Sequence, residues 1–126
     1  MVSMMELFDI FKALGDKTRM RIMSLLSKQE LCVCQISEVL KMSQPNASKH
    51  LHRLRYSGLI VCRKLSQWCF YSINEDFIFN NTVLFQYLMG EWSKHKFFTD
   101  DTKKLNNILL DFKCCKVCMQ KSKDTL

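Results

Sequence analysis

The feature that most constrains the fold is the order of patterns between residues 33 and 73. Two short segments with helical apolar spacing are separated by the break "KMSQP" at residues 41–45. Two segments rich in β-branched and aromatic residues, "LIVCRK" and "WCFYSI", follow directly and are joined by "LSQ". Helices joined by a tight turn predict a helix-turn-helix, and the β-rich pair predicts a hairpin. Together they predict a winged helix-turn-helix.

Helical patterns also flank this region on both sides. Residues 4–14 and about 17–28 carry apolar side chains at helical spacing, with Gly15 as a stop signal and Asp16 as an N-cap. Downstream, a long apolar helix is predicted over about 76–93, and "TDD" (99–101) is predicted to cap a last helix that ends near Phe112. The predicted fold class is mostly α with a small β-hairpin.

The charge of the chain is concentrated in one interval. The formal net charge is +7, and residues 39–74 contain no Asp or Glu while they carry six Lys or Arg side chains. A solvated surface can be basic without any partner, but a surface this one-sided favours a polyanionic partner such as nucleic acid. The acid-free interval coincides with the predicted helix-turn-helix and hairpin.

The outward positions of the second helix of this motif mix base-edge readers with phosphate binders. Gln and Asn can bridge adenine, Lys and Arg can take guanine, and such a helix fits the major groove. His50 lies near the inward stripe and is typical of a packed histidine. The candidate DNA-binding residues on this helix and on the hairpin are Gln44, Asn46, Ser48, Lys49, His52, Arg53, Arg63 and Lys64.

Four stretches make the chain similar to a known family. "ALGDKTRMRIMSLL", "ELCVC", "SQPNASKHLHRLRYSGLI" and "RK…W…YSI", within about residues 7–73, resemble the ArsR/SmtB family of metal-responsive repressors. The resemblance implies a winged-helix homodimer that binds a two-fold operator and leaves it when a metal or metalloid binds. It also implies that the first and C-terminal helices form the dimer interface. The apolar candidates there are Leu7, Phe11, Leu84, Tyr87, Leu88 and Trp92.

The pair Cys32 and Cys34 lies just before the third helical pattern. Soft thiolates select thiophilic ions, and a helix N-terminus favours the thiolate form. On a regular helix the two sulfurs diverge, so a shared ion requires an irregular or deformed first turn. "ELCVC" resembles the family's box for arsenic, antimony, cadmium and lead, in which this pair supplies two ligands. Ser37 stands where some members have a third cysteine, and Gln35 replaces the usual aspartate. The alternative is a buried apolar pair.

A second group of cysteines, Cys114, Cys115 and Cys118, lies in "KCCKVC". On a helix these three sulfurs fall within one turn, which suits a trigonal ion. Some members of the resembled family place an arsenite site late in the chain. The two groups therefore form two sites or one composite site, unless the tail has no function. Cys62 and Cys69, in the predicted hairpin, are interpreted as sheet packing.

These patterns predict a single winged-helix DNA-binding and dimerisation domain at 1–113 and a Cys-containing tail at 114–126. The predicted function is a cytoplasmic, homodimeric repressor of double-stranded operator DNA. Its predicted inducer is As(III) or Sb(III), with Cd, Pb or Zn as further candidates. No enzyme activity, organic cofactor or membrane partner is expected. The alternatives are a redox- or persulfide-responsive repressor and a protein-interaction module with a structural zinc.

Overall fold

The computed structural model describes residues 4–111, which form a mainly helical domain with a small sheet. The helices are α1 (Met4–Leu14), α2 (Lys17–Leu26), α3 (Val33–Leu40), α4 (Gln44–Tyr56), α5 (Glu75–Asn80), α6 (Thr82–Lys94) and α7 (Lys96–Asp111), and the strands are β1 (Leu31–Cys32), β2 (Ile60–Leu65) and β3 (Trp68–Ile73). The predicted class is confirmed. Helices α3 and α4 form the helix-turn-helix, and β2 and β3 form the wing.

The local signals in the sequence position this motif. Asp16 caps α2 by accepting a hydrogen bond from the Arg19 N–H at 3.0 Å, and Ser43 caps α4 by accepting from the Asn46 N–H at 3.2 Å. Between α3 and α4, Lys41 adopts a left-handed conformation with φ 53°. That conformation reverses the chain within three residues and fixes the angle between the two helices.

The sheet has three antiparallel strands in the order β1-β3-β2. In the wing, Ile60 pairs with Ile73 and Leu65 pairs with Trp68. The turn is therefore only Ser66 and Gln67, and Ser66 takes a positive φ of 59°. The two-residue strand β1, which the sequence did not predict, pairs Cys32 with Phe70. This pairing ties the start of α3 directly to the wing.

Two downstream predictions about helices are wrong. The helix predicted over about 76–93 is interrupted at Asn81, whose ψ of 45° and φ of −135° are not helical, so α5 and α6 are separate. The last helix begins at Lys96, and Asp101 lies inside it instead of capping it. Its carboxylate is buried and forms two hydrogen bonds of 2.8 Å with the Arg21 guanidinium. The helix α7 is thereby anchored to α2.

The apolar core lies among α2, α3, α4 and the base of the wing, with Ile22, Leu25, Ile36, Leu51 and Leu54 fully buried. Among the described residues, no helix is both long and apolar enough to cross a membrane.

The six residues predicted for a dimer interface differ in exposure, and Leu84 is half-buried against the core. Leu88 and Trp92 are buried in the core of the single chain, because they point from α6 towards the other helices. Leu7, Phe11 and Tyr87 are exposed.

Candidate metal centre and nucleic-acid interface

The two cysteines of the "ELCVC" stretch lie side by side. The Sγ atoms of Cys32 and Cys34 are 3.0 Å apart. Cys32 is the N-cap of α3 and has extended backbone, with φ −92° and ψ 168°. Of the two predicted possibilities, an irregular or a deformed first turn, the structure shows the irregular one. Because Cys32 lies before the helix, its side chain does not follow the helical rotation that would separate sulfurs two residues apart.

This separation is close to what a shared ion requires. A thiophilic ion with bonds of about 2.3 Å to each sulfur spans sulfurs that are roughly 3.3–3.8 Å apart, for bond angles between about 90° and 110°. The observed 3.0 Å must therefore open slightly to hold such an ion. The separation suits two ligands of one ion, and ligation by this pair stays a prediction.

Gln35 and Ser37, the residues that depart from the resembled pattern, hold the backbone of this turn. The Gln35 Oε1 accepts a hydrogen bond from the Cys32 N–H at 3.0 Å, which closes a capping box. The Ser37 hydroxyl donates to the Cys34 carbonyl at 3.1 Å. Both side chains are buried. In residues 4–111 no group of three or more His, Cys, Asp or Glu side chains is arranged to hold a metal.

The protonation of Cys32 is controlled by burial. Burial raises the pKa of the Cys32 thiol, and the N–H groups of Gln35 and Cys34, which act to lower it, do not compensate. The helix N-terminus therefore acts in the expected direction at this residue, but burial outweighs it. Cys32 packs with Phe70, and Cys34, Leu65 and Trp68 border them, so this apolar environment disfavours the charged form.

Two contacts connect the thiol pair to the wing. The first is the pairing of β1 with β3, in which Cys32 lies opposite Phe70. The second is a bidentate ion pair between Glu30 and Arg63, with distances of 2.7 and 3.1 Å. The Arg63 guanidinium also lies 5.5 Å from the centre of the Phe70 ring. The start of α3 is therefore joined directly to the wing.

The candidate DNA-reading face of α4 points to solvent. Gln44, Asn46, Ser48, Lys49 and His52 are exposed, and Arg53 is half-buried. The opposite side of the helix is formed by Ala47, Leu51 and Leu54, which are fully buried. The sequence therefore identified the two sides of the helix correctly, although DNA contact by the exposed side stays a prediction.

Other predicted residues have different surroundings. Lys64 is exposed on the wing, whereas Arg63 is engaged by Glu30. His50 faces Asp16, with 3.8 Å between Nδ1 and the carboxylate, as expected for a packed histidine. Arg55, in the last turn of α4, is also exposed. It is not among the predicted DNA-binding residues, although it lies in the acid-free interval. Cys114, Cys115 and Cys118 lie outside the described residues.

Comparisons with known proteins agree with the winged helix-turn-helix architecture described above. Residues 16–61 match the model of the family described as "Bacterial regulatory protein, arsR family". The chain is 40% identical to the arsenic resistance transcriptional regulator ArsR1 of Pseudomonas putida over 68 residues, 53% of each chain. It is 36% identical to the arsenical resistance operon repressor of Staphylococcus aureus over 66% of this chain and 84% of that one.

The chain spans only about half the length of the Pseudomonas relative. Among solved structures, it is similar to a homodimeric winged helix-turn-helix DNA-binding domain from Mycobacterium bovis, described as a possible ArsR-family regulator. The TM-score is 0.60 at 27% identity, over 68% of this chain and 80% of that one.

Proposed function

The chain belongs to the arsR family of bacterial regulatory proteins, and on this premise we propose that it is a repressor released from DNA by a thiophilic ion. The protein binds double-stranded operator DNA as a homodimer in the cytoplasm. Release follows when As(III) or Sb(III) binds Cys32 and Cys34. The observation that carries the proposal is the 3.0 Å approach of these two sulfurs at the start of the helix-turn-helix.

The proposed DNA contacts are on α4 and the wing. Gln44 and Asn46, at the N-terminal end of α4, read base edges in the major groove. Lys49 and Arg53 bind phosphates or guanine, and Lys64 binds backbone phosphate from the wing. Ser48, His52 and Arg63 complete the proposed set. In support, the exposed side of α4 lies in an interval without any carboxylate.

The third ligand is proposed to come from the tail. Trivalent arsenic takes three sulfur ligands, and the described residues offer two at this site. Cys114, Cys115 and Cys118 are the remaining thiols that have no proposed role elsewhere in the chain. One of them, from the same protomer or from its partner, closes the trigonal site. Cadmium, lead and zinc are weaker inducers in this proposal, and no organic cofactor is involved.

Release is proposed to follow from the connections around the thiols. Opening the sulfur pair moves Cys32, and β1 moves with it relative to Phe70 in the wing. The same movement shifts the first turn of α3, which leads through the turn at Lys41 into α4. Since both DNA-contacting elements are attached to the same short segment, one ion changes their relative orientation.

DNA binding is tested with an operator selected from a random DNA library, by fluorescence anisotropy. Affinity should fall roughly a thousandfold between about 50 and 200 mM salt, as several phosphate contacts per dimer require. Lys49→Ala should weaken binding and reduce the salt dependence, whereas Lys28→Ala, a control at the end of α2, should not. A flat salt response would contradict the proposed contacts.

The redox alternative is separated by the choice of inducer. Arsenite should release the DNA stoichiometrically without oxidant, from protein that has been reduced and then freed of dithiothreitol, because that dithiol binds arsenite itself. Release only by peroxide or polysulfide, reset by dithiothreitol, would support the redox alternative instead.

The source of the third ligand is tested by counting sulfur neighbours. Arsenic X-ray absorption should give three sulfur ligands for the wild-type protein. The Cys114→Ser, Cys115→Ser, Cys118→Ser triple variant should give two sulfurs and one oxygen. Three sulfurs in the triple variant would show that the tail is not the source.

A further inference from the structure

A second pair of thiols lies on the wing, where the two strands face each other. In the β2–β3 register Cys62 is opposite Tyr71, and Lys64 is opposite Cys69. Because side chains alternate between the two sides of a sheet, Cys62 and Cys69 project from the same side as diagonal neighbours. Their positions in the sequence, seven residues apart, indicate only sheet packing. They do not reveal which residues pair across the hairpin.

The two thiols are neighbours on this side of the wing. Burial raises the pKa of the Cys62 thiol, and the neighbouring Cys69 adds to this effect. Both side chains are only partly buried. Arg55 of α4 and Lys64 lie close enough to act on the charge of Cys62. The pair therefore lies where the wing meets the C-terminal end of the DNA-reading helix, and a reagent from solvent can reach it.

This pair is separate from the first pair of thiols. Cys32 is opposite Phe70 and packs with it, whereas Cys69 and Tyr71 flank Phe70 in β3 and project to the other side of the sheet. The wing therefore separates the two thiol pairs, one on each side. A single ion at Cys32 and Cys34 does not involve Cys62 or Cys69.

Diagonal neighbours suit a bridging atom better than a disulfide. Cα atoms at diagonal positions of an antiparallel pair are about 7–8 Å apart, and beyond about 7 Å a disulfide requires backbone movement. An atom with bonds of about 2.3 Å to each sulfur covers a longer span than a direct S–S bond of about 2.0 Å. The geometry therefore favours a ligand inserted between the sulfurs.

We propose that Cys62 and Cys69 form a second binding site, specific for a trivalent arsenical that carries one carbon substituent. Such a compound has two exchangeable bonds on arsenic, which matches two thiols. With an arylarsine oxide, the two S–H bonds and the arsenic–oxygen bond break, two As–S bonds form and one water leaves. Arsenic remains trivalent, and no oxidant or reductant is needed.

The site is tested in the full chain with the other five thiols changed to serine, at Cys32, Cys34, Cys114, Cys115 and Cys118. The probe is phenylarsine oxide, and intact-protein mass spectrometry reports the adduct. One phenylarsenic group per chain should bind, with loss of one water. Adding either Cys62→Ser or Cys69→Ser to this variant should weaken phenylarsenic binding at least about tenfold, because a single thiol cannot chelate. Circular dichroism confirms that each variant is folded.

Two outcomes would overturn this proposal. One is a folded five-serine variant that forms no adduct. The other is an adduct that survives equally in both single additions, which would indicate unspecific thiol reaction. Since Cys32 and Cys34 are absent from every variant, neither outcome bears on release of DNA by arsenite. The number of bound groups is also checked in the wild-type background. There Cys69→Ser alone should reduce the number of phenylarsenic groups per chain by one, while the other thiols remain.

Discussion

At the scale of single residues, Arg63 has two competing partners. Its guanidinium is held by Glu30 in a bidentate ion pair, yet the side chain is exposed on the wing. Bidentate geometry suits a phosphate as well as a carboxylate. In the proposed complex with DNA, a phosphate must therefore displace Glu30 before Arg63 contributes to binding. Glu30 adjoins the thiol pair, so the same carboxylate connects the two sites.

Glu30→Gln should strengthen operator binding, because it removes the carboxylate that competes for Arg63. The salt dependence should become steeper by about one unit of slope for each protomer, since one more phosphate is contacted. The thermal unfolding midpoint should change little, because exposed ion pairs contribute weakly. Anisotropy titrations at several salt concentrations measure this. Glu38→Gln, the same charge change on an exposed part of α3, is the control, and equal effects in both variants would contradict the proposed competition.

Asp16 gives a prediction about pH. Burial acts to raise the pKa of Asp16, but the Arg19 N–H and the charges of Arg19 and His50 outweigh it, so the pKa lies below its usual value. The contribution of the ionised group is therefore present above the unfolded-state pKa of about 3.9 and is lost as pH falls through the lower folded value.

Asp16→Ala should lower the free energy of unfolding by about 1 kcal/mol at neutral pH, as loss of an N-cap does. Asp16→Asn should retain most of this stability, because Asn caps as well as Asp. Urea unfolding at neutral pH and near pH 3 should show that the difference between wild type and Asp16→Ala shrinks in acid. A difference that grew in acid would contradict the sign of the pKa shift.

At the scale of elements, the sequence predicted the parts that depend on local signals. The caps Asp16 and Ser43 and the apolar stripes placed α1 to α4 and the wing closely. It did not predict β1, because a two-residue strand has no periodicity and exists only through its pairing with β3. The approach of the two cysteine sulfurs was missed for the same reason, since it depends on the extended backbone of Cys32.

The interruption at Asn81 and the early start of α7 also escaped sequence reasoning. Asp is a residue type that commonly caps helices, but Asp101 instead pairs with Arg21, which lies 80 residues earlier in the chain. Such a contact leaves no local signal. The ion pair is part of the packing of α7 on α2, which fixes the last described helix on the domain.

Asp101→Ala should lower the free energy of unfolding by about 3 kcal/mol, because it removes one partner of a buried ion pair and leaves Arg21 without compensation. Asp100→Ala, one residue earlier on the same helix, should change it by less than about 0.5 kcal/mol. Urea denaturation of both variants measures the difference. A loss below about 1 kcal/mol for Asp101→Ala would show that the pair does not anchor α7.

At the scale of the whole molecule, apolar side chains remain uncovered on α1 and α6. Leu7, Phe8 and Phe11 are 43–53% exposed, and Tyr87 is 63% exposed. Contiguous exposed apolar side chains are typical of a protein interface. The proposed homodimer would cover this surface, and it would also place two α4 helices on one two-fold operator.

Phe11→Glu should shift the protein from dimer to monomer at micromolar concentration, because it buries a charge in the proposed interface without a partner. Sedimentation velocity measures the change. The control is Val61→Glu, which introduces the same charge at an exposed apolar residue of the wing. If Phe11→Glu remains as dimeric as this control, the interface lies elsewhere.

The most direct test of the central claim is operator release by arsenite in matched cysteine variants. Wild type and Cys69→Ser should both leave the operator when about one equivalent of arsenite has been added for each Cys32–Cys34 site. Anisotropy measures the release, in buffer without dithiothreitol. Cys34→Ser should stay bound until arsenite is raised at least about tenfold, which corresponds to about 1.4 kcal/mol of lost ligand affinity. If Cys34→Ser binds the operator and releases it at the wild-type arsenite concentration, Cys32 and Cys34 are not the sensing site.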